Sequence, residues 1–139
     1  SDYYLENNKN NIPTGKLINV EGTYYDFRKF EKIGDFIQKK GSGFDENFII
    51  RSKSKLVARL LSKKNKIELS LYSNQPGVQF YTGQHLKYYS KNKILKKYQG
   101  LCLETQFYPN SPNNKKFPST LITPNNTYNH NMRFVIKEF

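Results

Sequence analysis

Apolar and polar residues alternate along much of this chain, and the alternation predicts strands. From Ile67 to Ser73, Ile67, Leu69 and Leu71 take one face and Glu68, Ser70 and Tyr72 the other, the period of a half-buried strand. The apolar run Leu56 to Leu61 precedes it across Lys63-Lys64-Asn65, which predicts a hairpin with that tripeptide at its tip. Val78 to Tyr81 predicts a further strand, entered through Gln75-Pro76-Gly77 and left through Thr82-Gly83. Near the start, Ile12-Pro13-Thr14-Gly15 has turn chemistry and leads into a strand over Lys16 to Val20. Tyr24 to Phe30 mixes aromatics with Asp26 and Arg28, and Gly41-Ser42-Gly43 is a flexible loop that delivers Phe44-Asp45-Glu46-Asn47-Phe48. The Lys- and Tyr-rich stretch from Gln84 to Gln99 is poorly periodic and is expected to be a loop, as is the segment holding Pro109, Pro112 and Pro118. A last strand places Tyr128, His130, Met132, Phe134 and Ile136 on one face. No stretch predicts a helix and no internal repeat stands out. The expected architecture is all-β, an antiparallel β-sandwich.

One strand carries a residue that a purely structural strand would not favour. In Gly100 to Phe107, the period of two puts Leu101, Leu103, Thr105 and Phe107 on one face and Cys102, Glu104 and Gln106 on the other. A strand this apolar is expected to be covered on both sides, so that Glu104 looks into a pocket or groove. A carboxylate held in such a place is a candidate general base.

Composition narrows the classes. The 139 residues suffice for one domain with a core, and the 15% aromatic content offsets a modest hydrophobic share of 36%. The formal charge of +12 raises the question of nucleic acid or an anionic surface as partner. Its distribution argues against both. The excess is Lys scattered in turn-like pairs, and Arg, the better residue for forked recognition of phosphate, stands only at 28, 51, 59 and 133. A basic binding module would bind with steep salt dependence. The single cysteine, Cys102, cannot form an intrachain disulfide and is expected to be a small packed residue; a reduced, cytoplasmic setting follows as the default. No Cys/His cluster has metal-ligand spacing, no apolar run is long enough to span a bilayer, and the sequon Asn125-Asn126-Thr127 is expected by chance in so Asn-rich a chain.

Four segments, in this order and spacing, resemble the aldose 1-epimerase (galactose mutarotase) family: Ile12 to Gly15, Gly43 to Phe48, Pro76 to Gly83, and Gly100 to Gln106. Pro109 to Asn113, Phe117-Pro118-Ser119 and the closing strand continue the likeness. The resemblance covers essentially all of the chain and is expected to match only the C-terminal part of the family's longer domain, so that residues 1–139 would form the C-terminal portion of one galactose mutarotase-like sandwich. The abrupt start at Ser1-Asp2-Tyr3, as if in mid-strand, agrees with that expectation. The family interconverts α and β anomers of free aldohexoses such as galactose and glucose, without metal or nucleotide cofactor. A base takes the C1 hydroxyl proton, an acid protonates the ring oxygen, and the ring opens and recloses.

Carried over by position, the resemblance makes Glu104 the catalytic base and Asp45 and Gln79 hydrogen-bonding partners of sugar hydroxyls. The residue chemistry agrees, since a carboxylate accepts from hydroxyls and an amide both donates and accepts. Asp45 beside Gly-rich sequence is equally suited to stabilise a turn, and Gln79 to satisfy backbone groups at a strand end. The family's general acid is a His, and neither His85, expected in solvent, nor His130, expected to pack among Tyr128 and Met132, falls in a matching segment. Two readings follow: an epimerase whose acid lies outside this sequence, or a non-catalytic sugar-binding pseudoenzyme of the same fold. A sugar-phosphate epimerase is a weaker third, because the chain has no Trp, which phosphate-specific relatives tend to use.

Overall fold

The strands that the alternation predicts form, the last of them from Met132 rather than Tyr128, and they join two main sheets. The computed structural model describes residues 1–52, 54–90 and 93–139. In chain order its elements are β1 (Tyr3–Asn7), β2 (Pro13–Asn19), α1 (Ile33–Lys40), β3 (Asp45–Ile49), β4 (Leu56–Ser62), β5 (Ile67–Ser73), β6 (Gly77–Tyr81), β7 (Tyr88–Ser90), β8 (Lys93–Leu95), β9 (Cys102–Gln106) and β10 (Met132–Glu138). Five strands pair in the order β2-β1-β3-β6-β9, three in the order β10-β5-β4, and β7 and β8 make a two-stranded hairpin. The assigned pairings are antiparallel.

Leu5 and Ile49 pack with Phe117, Tyr3 and Tyr108 on one face of the five-stranded sheet, and the other face is the more extensively apolar. Phe48, Val78 and Phe80 point from it into a core completed by Val20, Phe36 and Phe44. Phe44 and Phe80 stack with ring centroids 5.5 Å apart, and Phe27 meets both edge-on at 5.3 and 5.5 Å, an arrangement that aromatic quadrupoles favour. The cover comes from two segments that lack the period of a strand. The loop after β2 brings in Tyr25 and Phe27, and α1 brings Ile33, Phe36 and Ile37 at helical spacing.

Several expectations need correction here. A helix forms where none was predicted. It is only eight residues long and begins at Lys32, whose side chain makes no capping bond, so it lacks the usual start signal. Its stop is legible: Gly41 takes φ 77° and its N–H reaches the carbonyls of Ile37 and Gln38. The 84–99 stretch, expected to be a loop, contains the β7–β8 hairpin, with positions 91 and 92 outside the described residues. The first turn falls at Asn8–Ile12, one step earlier than expected, and Pro13 opens β2, a position where its missing N–H costs little. Nor is the sandwich confined to a C-terminal portion of the chain's fold. Strands run from Tyr3 to Glu138, and α1 with the aromatic loop closes the apolar face of the larger sheet, so the all-β sandwich occupies the whole described chain.

Candidate functional site

Beyond the Leu5, Ile49 and Phe117 cluster, the opposite face of the five-stranded sheet carries a polar stretch on β3, β6 and β9, and register explains which side chains meet there. Residue pairing across β3, β6 and β9 gives one row of Asn47, Gln79 and Glu104 and a second of Asp45, Tyr81 and Cys102. Directly opposed residues share a face, and so do residues two apart along a strand. Asp45, Gln79 and Glu104, the three residues that the resemblance singles out, therefore stand on one face of neighbouring strands. Gln79 Nε2 donates to Asp45 Oδ1 at 2.9 Å. The Cys102 thiol reports the same neighbourhood: burial pushes its pKa up, and the carboxylates of Glu104 and Asp45 push it further.

Phe44, fully buried just before Asp45, anchors the start of β3. Its N–H donates to Thr82 Oγ1 at 2.8 Å, and the Thr82 N–H returns a bond to its carbonyl. On the core side of β3, Glu46 is tied down from three directions. It accepts from Lys40 Nζ at 2.9 Å, from Tyr25 Oη at 3.1 Å and from the Asp45 N–H at 2.7 Å. Asp45 is thus held at its backbone by the very next residue, while its carboxylate stays on the polar face.

Glu104 is not enclosed. It is exposed, which corrects the expectation of a strand covered on both sides. The physical reason is position: β9 is the last strand in the sheet, with β6 as its sheet neighbour, so no further strand of that sheet flanks it among the described residues. Nor does Glu104 form an ion pair among the described residues, and its carboxylate remains available. Two surface hollows, one around Lys55 and Arg133 and one around Ser1 and Arg51, do not include Asp45, Gln79 or Glu104.

Among the described residues, neither histidine hydrogen-bonds to this trio. His130 Nε2 lies 2.8 Å from Thr105 Oγ1, and Nδ1 lies 3.2 Å from Tyr128 Oη. Thr105 follows Glu104 on the same strand, so it points to the other face, and His130 sits behind the sheet from the carboxylates. His85 is exposed, as expected, with its backbone N–H donating to Tyr81 Oη at 3.0 Å. No group of acidic, His and Cys side chains suited to a metal ion occurs among the described residues.

The sequence reading did not single out Asn47. It is 2% exposed, and neither atom of its side-chain amide has a hydrogen-bond partner. The signal was present: Asn47 lies two residues after Asp45 on a strand, which puts it on the same face.

A family model described as aldose 1-epimerase matches residues 1–135. The chain is 41% identical to the galactose mutarotase of Mus musculus over 140 residues, 96% of this chain and 41% of that protein. It is 39% identical to the galactose mutarotase of Homo sapiens, with the same two coverages. Against the aldose 1-epimerase of Escherichia coli (strain K12), identity is 34% over 128 residues, 85% of this chain and 37% of that protein. In fold it is similar to a solved aldose epimerase homologue from C. elegans, with TM-score 0.85, 23% identity, and coverage of 99% of this chain and 44% of that one. A galactose 1-epimerase from Lactobacillus acidophilus NCFM gives TM-score 0.74 at 26% identity, covering 99% and 42%. The chain spans about two fifths of the length of these curated relatives. The likeness runs through this chain from residue 1 to residue 135, which corrects the expectation of a match described by the C-terminal part of a domain alone.

Proposed function

The chain belongs to the aldose 1-epimerase family, and from that premise we propose that it serves the interconversion of α and β anomers of free aldohexoses, galactose and glucose among them. The observation that carries the reading is the contiguous set of Glu104, Gln79 and Asp45 on one polar sheet face, with Glu104 unpaired by any cation among the described residues. Glu104 accepts the proton of the C1 hydroxyl. As that O–H bond breaks, the electron pair forms the C1 carbonyl, the bond from C1 to the ring oxygen breaks, and the ring oxygen takes up a proton from an acid that this sequence does not supply, to return it on reclosure. Rotation about C1–C2 and reclosure give either anomer, and the proton on Glu104 returns at the end. Asp45 accepts from sugar hydroxyls, and the Gln79 amide, with one N–H on Asp45, offers the other N–H to them. We also propose a cytoplasmic setting, on the strength of a lone cysteine that offers no intrachain disulfide.

A second reading is a sugar-binding module without catalysis. It is favoured by one observation: among the described residues, no His side chain contacts Glu104, Gln79 or Asp45 to act as the acid. Polarimetry of freshly dissolved α-galactose or α-glucose separates the two. If the enzyme reading holds, the chain, alone or joined to a segment that supplies the acid, speeds mutarotation, and Glu104→Gln lowers the catalysed rate by roughly 10²-fold or more while sugar binding persists. Sugar binding with no acceleration in either form selects the binding module, and an undiminished rate in Glu104→Gln overturns the role of Glu104.

A further inference from the structure

Asn47 is one of the largest fully buried side chains in the protein and one of the few that are polar. Both of its amide atoms, and Oε1 of Gln79 in the same cross-strand row, are buried without a hydrogen-bond partner. Leaving such a group unmet costs about 1–3 kcal/mol, and native structures seldom tolerate it. The surroundings make room for Asn47. A Cβ at Gly77 would stand 2.5 Å from Asn47 Oδ1 and 3.1 Å from the Tyr108 ring, so the amide lies over a glycine and beneath an aromatic wall. Gln79, by contrast, leans the other way, toward Asp45.

We propose that Asn47 is a positioning residue for the sugar face, acting on Gln79 through one buried water. Asn47 Nδ2 donates to that water, and the water donates to Gln79 Oε1. A water needs two to four polar partners to be held in such a place, and these atoms supply the right mix of donor and acceptor. The link decides which end of the Gln79 amide faces Asp45. With Oε1 tied on the Asn47 side, Nε2 is kept on the Asp45 carboxylate. Released, the amide is free to turn over, which would bring oxygen against carboxylate and reverse the pattern offered to a sugar. The proposal rests on the sugar-binding reading for its consequence, but not for the water itself.

The test uses the whole chain. A high-resolution crystal structure is expected to show an ordered water within hydrogen-bond reach, roughly 3 Å, of Asn47 Nδ2 and Gln79 Oε1. In NMR spectra, the side-chain NH₂ of Gln79 is expected to be protected from exchange in the parent and to lose that protection in Asn47→Leu. Asn47→Val, which likewise offers the water no polar atom, gives the same readout should the leucine variant fail to fold. By calorimetric titration with galactose, Asn47→Leu and Gln79→Leu are each expected to weaken binding about tenfold, and the double variant no further, because one acts through the other. A dry site, unchanged Gln79 protection or additive losses would overturn the proposal. If no sugar binds at all, the sugar reading fails, while the water and the Gln79 exchange still decide this one.

Discussion

Replacing Lys40 by Met would remove the cation that anchors β3 to α1, and the structure allows the size of the loss to be worked out. The ammonium donates to Glu46 Oε1 at 2.9 Å and to the Gly43 carbonyl at 2.6 Å, and it lies 5.1 Å from the Phe44 ring centroid and 5.5 Å from that of Tyr25. The two charged side chains are only 12% and 13% exposed. Removing one partner of a buried pair strands the other charge, which costs about 3–5 kcal/mol. Glu46 keeps two bonds, from Tyr25 and the Asp45 N–H, so the lower end, about 3 kcal/mol, is expected. For a chain of 139 residues that corresponds to a fall of roughly 10 °C in melting temperature. Circular dichroism melts measure it directly. The double variant Lys40→Met/Glu46→Leu removes both charges and should recover most of the loss, because an apolar pair carries no desolvation penalty. A single variant that melts within about 2 °C of the parent would refute the reasoning, as would a double variant no better than the single.

Three more outcomes follow from other parts of the fold. Gly77→Ala drives a methyl group into Asn47 Oδ1 and should cost about 1–3 kcal/mol, read from the urea midpoint; a neutral change would mean the row is looser than the distances imply. Burial and the nearby Glu46 carboxylate hold the Tyr25 phenol well above its ordinary pKa, and burial does the same for Tyr4 and Tyr108. The folded chain keeps these protons where the unfolded chain has lost them. The stability they carry is therefore whole below about pH 10 and falls as the pH rises beyond it, and Tyr25→Phe should flatten that fall in denaturant titrations from pH 8 to 11. His130→Ala loses its contact with Thr105 and should cost about 1 kcal/mol of stability, yet leave galactose affinity unchanged, since the ring lies behind the sheet; a large loss of affinity would contradict the assigned faces.

Much of the strand framework was legible because strands write their faces into the sequence. The alternation at Ile67–Ser73 and Cys102–Gln106 gave both the elements and the side on which Glu104 points. Cover was less legible. Period two assigns two faces but does not say which of them is packed over, and Glu104 proved open because its strand ends the sheet, a fact of strand order rather than of local pattern. Tyr25 and Phe27 fill the core from an aperiodic loop, so their burial left no rhythm to read. Helix α1 is short enough that Ile33, Phe36 and Ile37 amount to a single apolar cluster, and its start lacks a capping side chain. Asn47 was within reach of the same alternation that revealed Asp45; its missing partners were visible only once side chains had places.

Glu104 rides on a strand fastened to the sheet along one side only, through the ladder between β6 and β9. Unzipping that single ladder frees the carboxylate, whereas freeing Gln79 on β6 would require two ladders to part. Opening energies within a protein scale with what must be broken. Ease of opening is therefore graded across the row, with the proposed proton acceptor on its most yielding member and the proposed hydroxyl-holding amide on a stiffer one.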